Sequence, residues 1–468
     1  MMTSRDTVGR MRIGLAASAL LVAALALAAC GDNLPAQVHD GFLYDADGRV
    51  VIMRGVNLSG AQKNTPYIDD KTAADYARVR DEWGFNAIRF VMTWSAVEPT
   101  EGSYDDAYLD QVAERMQWAA DARLAVVLDM HEDIYGEGFG FDGAPKWTCA
   151  ESYYQNFVPT SPWFLNATNP NVIACTDGLY TRTDLVQHFT AAWAHVAERL
   201  AGSPAIVGFD ALNEPNWGSY AIATFERDRL EPYYEQIVPA VRAHAPTWVA
   251  FLEPGASRNE GFPTSLRPFP FGNVMYSPHS YDEDAESGEG FDPSHRPQIL
   301  ANIAALAGEA HSLDAGLWIG EYGGYSNDPN IGAYMAANYD AAGSAAASTM
   351  YWSYDESDDG YGLLDDSGNE ETTLVDAVVR PYPERVAGTP SSYAFDATTQ
   401  TFTLVYAPDP HVTAPTVISV PSRVYPDGYT VECGDCQLAQ SVGELSITSP
   451  PATPSGGDAV TITIHPWP

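Results

Sequence analysis

The sequence predicts an α/β protein, a (β/α)8 TIM barrel followed by a small C-terminal β-sandwich. Three observations carry that expectation. Apolar, β-branched runs alternate with helical patterns eight times between about residues 50 and 380. Beyond about residue 390 the helical period disappears, and short alternating strands separated by turn residues take over. The chain's 468 residues are 45% hydrophobic and 18% charged, which describes a globular protein longer than one ordinary domain.

Taken in order, the chain opens with Arg5, Arg10 and Arg12 ahead of an uncharged Ala/Leu-rich run from Ile13 to Ala29. That is a charged n-region followed by an apolar h-region, and it is short for a membrane span. It ends in Leu27-Ala28-Ala29-Cys30, which is similar to a bacterial lipoprotein cleavage box. Residues 1–30 are therefore expected to be a lipoprotein-type signal peptide, with Cys30 acylated and the protein exported and membrane-anchored. An ordinary signal peptide with a chance cysteine is the alternative.

The barrel is expected over residues 36–380. Its candidate strands are Val50–Val56, Ala87–Val91, Ala125–Met130, Ile206–Leu212, Trp248–Leu252, Val274–Ser277, Leu317–Gly320 and Thr349–Tyr354. Candidate helices are Thr72–Trp83, Tyr108–Ala122, Leu185–Leu200, Phe225–Ala245, Gln298–Ser312 and Ile331–Ala342, while Pro254–Asn273 reads as loop. Pro381–Ser392, rich in Pro, Ser and Gly, reads as a linker. The sandwich is expected over 390–468, with strands such as Thr401–Tyr406, Val417–Val420, Tyr429–Cys433 and Val460–Ile464. Besides Cys30 there are four cysteines, and proximity favours Cys149–Cys175 and Cys433–Cys436 in an oxidising compartment.

Charge narrows the function. Lys and Arg total 24 against 62 Asp and Glu, a net charge of −38. Such a surface repels phosphate backbones, so nucleic acid is excluded as a leading partner. A serine hydrolase of the Gly-x-Ser-x-Gly type is absent from the sequence, and His131-Glu132 lacks the second His of a zinc protease. Asp355, Ser357, Asp359, Gly360 and Asp366 read as a solvated acidic loop rather than a calcium loop. No metal and no cofactor are expected.

The chemistry gathers at strand ends. Asn213-Glu214-Pro215 follows the fourth strand and Glu321-Tyr322-Gly323 the seventh. In a closed barrel both glutamates project into one mouth, and glycoside hydrolysis needs two carboxyls flanking one bond. On these motifs the barrel resembles glycoside hydrolase family 5. The resemblance implies a retaining mechanism with Glu214 as acid/base and Glu321 as nucleophile. It further implies that Arg89 hydrogen-bonds Glu321, that His131 and Asn213 bind sugar hydroxyls, that His279 is a substrate-binding residue, and that Tyr281, in His279-Ser280-Tyr281, orients the nucleophile. Trp352 would form the platform beneath the reacting sugar.

Within that family the chain most resembles endoglycoceramidases. The likeness rests on Arg54-Gly-Val-Asn-Leu-Ser59 with Lys63, on Leu128-Asp-Met-His-Glu-Asp-Ile-Tyr-Gly136, and on Tyr425-Pro-Asp-Gly-Tyr429. It implies that Lys63 and Asp133 reach sugar hydroxyls and that a glycosphingolipid is cleaved to oligosaccharide and ceramide. Glu132 departs from the family pattern, where Gln is usual. Other family 5 activities (β-glucosidase, sterol-glucosidase, endo-β-glucanase or mannanase) and a non-catalytic sugar-binding barrel remain alternatives.

The stretch from His131 to Arg182 has few helix or strand signals but many aromatics: Tyr135, Phe139, Phe141, Trp147, Tyr153, Tyr154, Phe157, Trp163, Phe164 and Tyr180. Two readings compete, an apolar groove for the aglycone and a self-packed insertion pinned by Cys149–Cys175.

Overall fold

The structure is a computed structural model and describes residues 37–357, 359–448 and 459–467. The run Ile13–Ala29 and Cys30 lie outside the described residues. Among those described, no helix is long and apolar enough to cross a membrane.

Three short strands come first: β1 (Gln37–His39), β2 (Phe42–Tyr44) and β3 (Val50–Val51). The barrel strands follow: β4 (Arg54–Leu58), β5 (Ala87–Thr93), β6 (Ala125–His131), β7 (Ile206–Asp210), β8 (Val249–Leu252), β9 (Val274–Tyr276), β10 (Gly316–Tyr322) and β11 (Ser348–Tyr354). They close in sequence order, all parallel, with β11 pairing back onto β4. Every residue of β5, β6 and β10 is buried. Helices cover one face of a parallel sheet and side chains fill the other, so these strands read as continuous apolar runs.

The expected first strand, Val50–Val56, is in fact two. Val50 and Val51 pair with Tyr44 and Leu43 on one side and with Val386 and Arg385 on the other. The barrel begins only at Arg54. Both pieces are fully buried, so hydrophobicity alone leaves no mark of the break.

The expected linker is also corrected. β12 (Tyr382–Val386) and β13 (Gly388–Asp396) run through Pro381–Ser392. Gly388, the first residue of β13, has φ +147°, and a Cβ there would lie 2.0 Å from the Ala407 carbonyl oxygen. Its glycine lets the chain pass from one sheet to the other. The remaining strands are β14 (Thr401–Pro408), β15 (Thr416–Ser419), β16 (Tyr429–Glu432), β17 (Gln437–Ser441), β18 (Glu444–Thr448) and β19 (Val460–Pro466). One sheet of the sandwich runs β1-β2-β3-β12-β15-β18-β17 and the other β13-β14-β19-β16. The N-terminal strands thus belong to the sandwich sheet, not to the barrel.

The N-terminal hairpin also closes the barrel floor. Leu43 packs with Met53, Ala87, Ala125, Val249, Met275 and Trp318, and Val38 lies against that cluster. The Val38 N–H donates to Asn273 Oδ1 at 2.8 Å, just before β9 begins. The mouth therefore opens at the opposite end.

The long segment after β6 is more regular than its sequence suggests. It contains helices Glu151–Asn156 and Pro170–Thr181, with a 3-10 turn, Trp163–Thr168, between them. Cys149 and Cys175 are bridged across it, and Cys433 and Cys436 are bridged in the sandwich.

Candidate active site

Arg89 lies at the centre of the mouth. It stands in β5, fully buried, and its guanidinium spends its donors on carboxylates and amides. Nη1 donates to Glu321 Oε1 (2.6 Å) and Asn57 Oδ1 (3.1 Å). Nη2 donates to Asn213 Oδ1 (2.8 Å) and Glu253 Oε1 (3.1 Å) and pairs with Asp129, while Nε donates to Asp210 Oδ2 (3.1 Å). A planar fork suits such a set better than a point charge. One cation thus gathers the ends of five barrel strands, and the expected Arg89–Glu321 bond is present.

Glu214 follows β7. Its backbone sits at φ +40°, uncommon for a side chain of this size, and its N–H donates to Glu253 Oε2 at 2.8 Å. Its Oε1 accepts from Asn259 Nδ2 (2.7 Å) and lies 2.8 Å from His279 Nδ1. Glu321, in β10, accepts from Tyr281 Oη at 2.8 Å, and its Oε2 lies 3.5 Å from His279 Nδ1. One carboxylate oxygen of Glu214, one of Glu321 and a ring nitrogen of His279 all fall within 4.8 Å of one another.

Burial opposes charge on His279, but Glu253, Glu321 and Glu214 around it hold the imidazole protonated well above its ordinary range. Burial pushes Glu214 up, yet the His279 hydrogen bond and charge, then Asn259, outweigh it and bring the carboxyl below its usual value. Burial raises Glu321, with Glu214 and Glu253 adding to it and His279 and Arg89 opposing it. Arg89 therefore acts on Glu321 in the expected direction without deciding the balance. Both shifts favour the proton of the His279–Glu214 hydrogen bond on the imidazole.

The other expected residues meet around the same mouth. His131 Nδ1 lies 2.8 Å from Asp129 Oδ2, and its ring stacks on Trp352 with centroids 5.3 Å apart. Burial, with Lys63, Arg89 and His279 nearby, holds His131 neutral. Lys63 Nζ donates to Asp133 Oδ2 at 2.5 Å and sits 4.6 Å over the Trp352 ring. Asn213 Nδ2 donates to the Glu132 carbonyl oxygen at 3.2 Å. All ten residues expected from the sequence thus line one mouth.

Several site residues escaped sequence reading. Glu253 directly follows β8 and touches Arg89, His279 and the Glu214 N–H, but a single Glu before Pro carries no pattern. Asp142 lies 3.9 Å from Lys63 and is fully buried, supplied by the insertion. Asp129 and Asp210 did leave a signal, since each is a charge inside an otherwise apolar strand.

The insertion's aromatics mostly favour the self-packed reading. Phe139 packs edge-on against Tyr154 and Phe157, Tyr135 against Phe139, and Tyr180 against Tyr233. Trp163 and Phe164 instead stand exposed.

Comparison with known proteins agrees with this geometry. The model of the cellulase family, glycosyl hydrolase family 5, matches residues 44–358, and that of the glycoside hydrolase family 5 C-terminal domain matches 380–464. Endoglycoceramidase I of Rhodococcus hoagii (strain 103S) is 27% identical over 454 residues, spanning 92% of this chain and 88% of the relative. Endo-glycoceramidase II from Rhodococcus sp., solved as a ganglioside GM3 complex, is 31% identical with a TM-score of 0.82, covering 91% of this chain and 99% of that one. The same enzyme solved as a lactosyl-enzyme intermediate is 30% identical with a TM-score of 0.80, covering 91% of this chain and all of that one. Barrel, strand-end carboxylates and sandwich together with these matches place the chain in glycosyl hydrolase family 5, and it is a glycosyl hydrolase.

Proposed function

We propose that this enzyme cleaves the O-glycosidic bond between a glycan and ceramide with retention, releasing oligosaccharide and ceramide from glycosphingolipids. The observation that carries the mechanism is the approach of Glu214, His279 and Glu321 atoms within 4.8 Å. A retaining pair stands about 5–5.5 Å apart, whereas an inverting pair leaves room for a water at about 6.5–9.5 Å. The glycolipid half of the reading rests on likeness to endoglycoceramidases along nearly the whole chain.

In the first step a Glu321 oxygen attacks the anomeric carbon, the bond to the ceramide oxygen breaks, and Glu214 protonates that oxygen. The proton comes from close by, since His279 Nδ1 and Glu214 Oε1 are 2.8 Å apart. As Glu321 becomes an ester it loses its charge, and one of the anions holding the proton on His279 disappears. The proton then crosses to Glu214 as the leaving oxygen needs it. In the second step Glu214 takes a proton from water, which displaces Glu321 and restores the original configuration.

Arg89 and Tyr281 hold Glu321 in place for attack, and Asn213 binds the neighbouring hydroxyl, a contact that strengthens as positive charge develops. Lys63, Asp133 and His131 meet sugar hydroxyls above the Trp352 face. Acylation at Cys30, read from the cleavage box, would hold the exported enzyme at a membrane.

Product analysis tests the substrate. Fluorescent lactosylceramide should give ceramide and intact lactose, while a soluble β-glucan is left nearly untouched. Cleavage of the glucan with no release of ceramide would make the enzyme a polysaccharide hydrolase instead.

A further inference from the structure

The barrel rim over β6, β7 and β8 exposes large apolar side chains that the catalytic site does not use. In the insertion after β6, Val158 is 74% exposed, Trp163 49% and Leu165 42%, with Phe164 beside them. Phe262, also exposed, rises from the loop after β8 that supplies Asn259 to Glu214. The loop after β7 joins the two: its Ser219 N–H donates to Asp177 of the insertion, and its Pro215 carbonyl accepts from the Ala256 N–H of the loop after β8.

The insertion's tip is held in place. Asn166 is buried and clamps the turn: its Nδ2 donates to the carbonyls of Thr160 (3.0 Å) and Trp163 (2.6 Å), and its Oδ1 accepts from the Thr160 N–H (2.8 Å). Asp177 ties the insertion to the loop after Glu214, accepting from the Ser219 N–H (2.8 Å) and Ser219 Oγ (2.6 Å). The apolar side chains are thus presented outward by a braced turn rather than left over on a loose one.

Charge points to what they meet. From Phe157 to Thr176 the chain carries no Asp, Glu, Lys, Arg or His, although the whole molecule carries −38. A charge-free tip with an interfacial Trp can enter a neutral or zwitterionic lipid surface without taking a charge out of water, which an acidic tip could not do.

The anchor proposed at Cys30 bears on which surface that is. Gln37 and Val38 lie at the barrel floor, pinned to Asn273, at the end opposite the mouth. The residues from Cys30 to Gln37 reach at most about 25 Å when fully extended. To turn the mouth onto the membrane holding Cys30, they would have to pass the helix ring and the full barrel height. The seven-residue strands, tilted about 36° to the axis, alone rise about 19 Å, and the loops at both ends and the width of the helix ring lengthen that path well beyond the reach of the segment.

We propose that Val158, Trp163, Phe164, Leu165 and Phe262 form a docking rim for a second lipid surface, and that the enzyme attacks glycolipid in that surface rather than in the membrane carrying its own anchor. This rests on the Cys30 anchor and the glycolipid reading proposed above.

Vesicle tethering tests it without depending on catalysis. The acylated full-length protein is incorporated in host phosphatidylcholine vesicles and offered a second, fluorescent population of phosphatidylcholine vesicles containing lactosylceramide. Capture of the second population is expected, with at least a fivefold loss in a Trp163→Ser/Phe164→Ser variant that hydrolyses a soluble aryl β-glycoside as the unaltered protein does. Lactosylceramide in the captured vesicles should be cleaved at least tenfold faster than the same lipid placed in the host vesicles. Equal capture by the variant, or equal cleavage in both populations, overturns the proposal, as does a chain that carries no acyl group and stays out of the host vesicles. Detergent-dispersed lactosylceramide reads the substrate separately: if it is not cleaved while capture depends on Trp163 and Phe164, the glycolipid reading falls and the docking rim stands.

Discussion

At Glu132 a carboxyl group sits deep in the mouth beside Asp133, Glu214 and Glu253, and its Oε2 accepts from the Tyr135 N–H at 2.5 Å. Burial first, then those neighbouring charges, push it up to about 8. An unfolded chain would ionise it near its ordinary value of about 4.3. Between those two values the folded protein holds a proton that the unfolded chain has released, so stability falls as pH rises across that window. Glu132→Gln keeps the acceptor and removes the titration. The variant's melting temperature, relative to the unaltered protein, should therefore rise from pH 5 to pH 8; a constant difference would mean that Glu132 is already ionised at pH 5. Single residues were legible in the sequence where a strand end and a paired motif marked them, as at Glu214 and Glu321. Glu253 and Asp142 had no such mark. One is a lone acid before Pro, and the other reaches the site only through the path of the insertion.

Elements were read best where the period was long. The helix expected over Leu185–Leu200 is observed over Thr183–Leu200, and the one expected over Gln298–Ser312 is observed over Arg296–Ser312. Their amphipathic or apolar faces repeat over several turns. The insertion after β6 leaves little periodic signal because its first helix, Glu151–Asn156, is short and its aromatics face one another instead of following one stripe. Its two covalently joined ends, Cys149 and Cys175, are separated by 26 residues. Closing a loop of that length contributes about 2–4 kcal/mol. Cys149→Ser should lower the melting temperature accordingly and speed limited proteolysis within residues 150–175. Unchanged cleavage would mean that aromatic packing alone holds the insertion.

At the scale of the whole molecule, barrel and sandwich share one interface. Arg80, on the helix Ala73–Asp81, donates to Glu384 of β12 at 2.8 Å and also pairs with Glu444 of β18. Tyr339, on the barrel helix Ile331–Ala345, packs edge-on against Tyr393 of β13. Gly343 allows that approach, since a Cβ there would lie 2.1 Å from the Tyr393 carbonyl oxygen. Gly343→Val should push β13 off the helix and cost about 1–3 kcal/mol, read as a lower melting temperature. Full stability in that variant would show that the two domains tolerate separation there. Two-domain order was legible from the change of period near residue 390. The return of residues 37–51 to the C-terminal sheet was not, because pairing between distant short strands leaves no local pattern.

The same closure brings Glu214 and Glu321 to one bond, and their division of labour is the central claim. It is tested most directly by azide rescue with an activated β-glycoside. Glu321→Ala opens space on the nucleophile's face, where azide attacks with a single inversion, and the α-glycosyl azide is expected. Glu214→Ala still lets a good leaving group depart, so the glycosyl–Glu321 ester forms and azide displaces it from the other face, giving the β-azide. The α-azide from Glu214→Ala, or the β-azide from Glu321→Ala, would contradict the assignment.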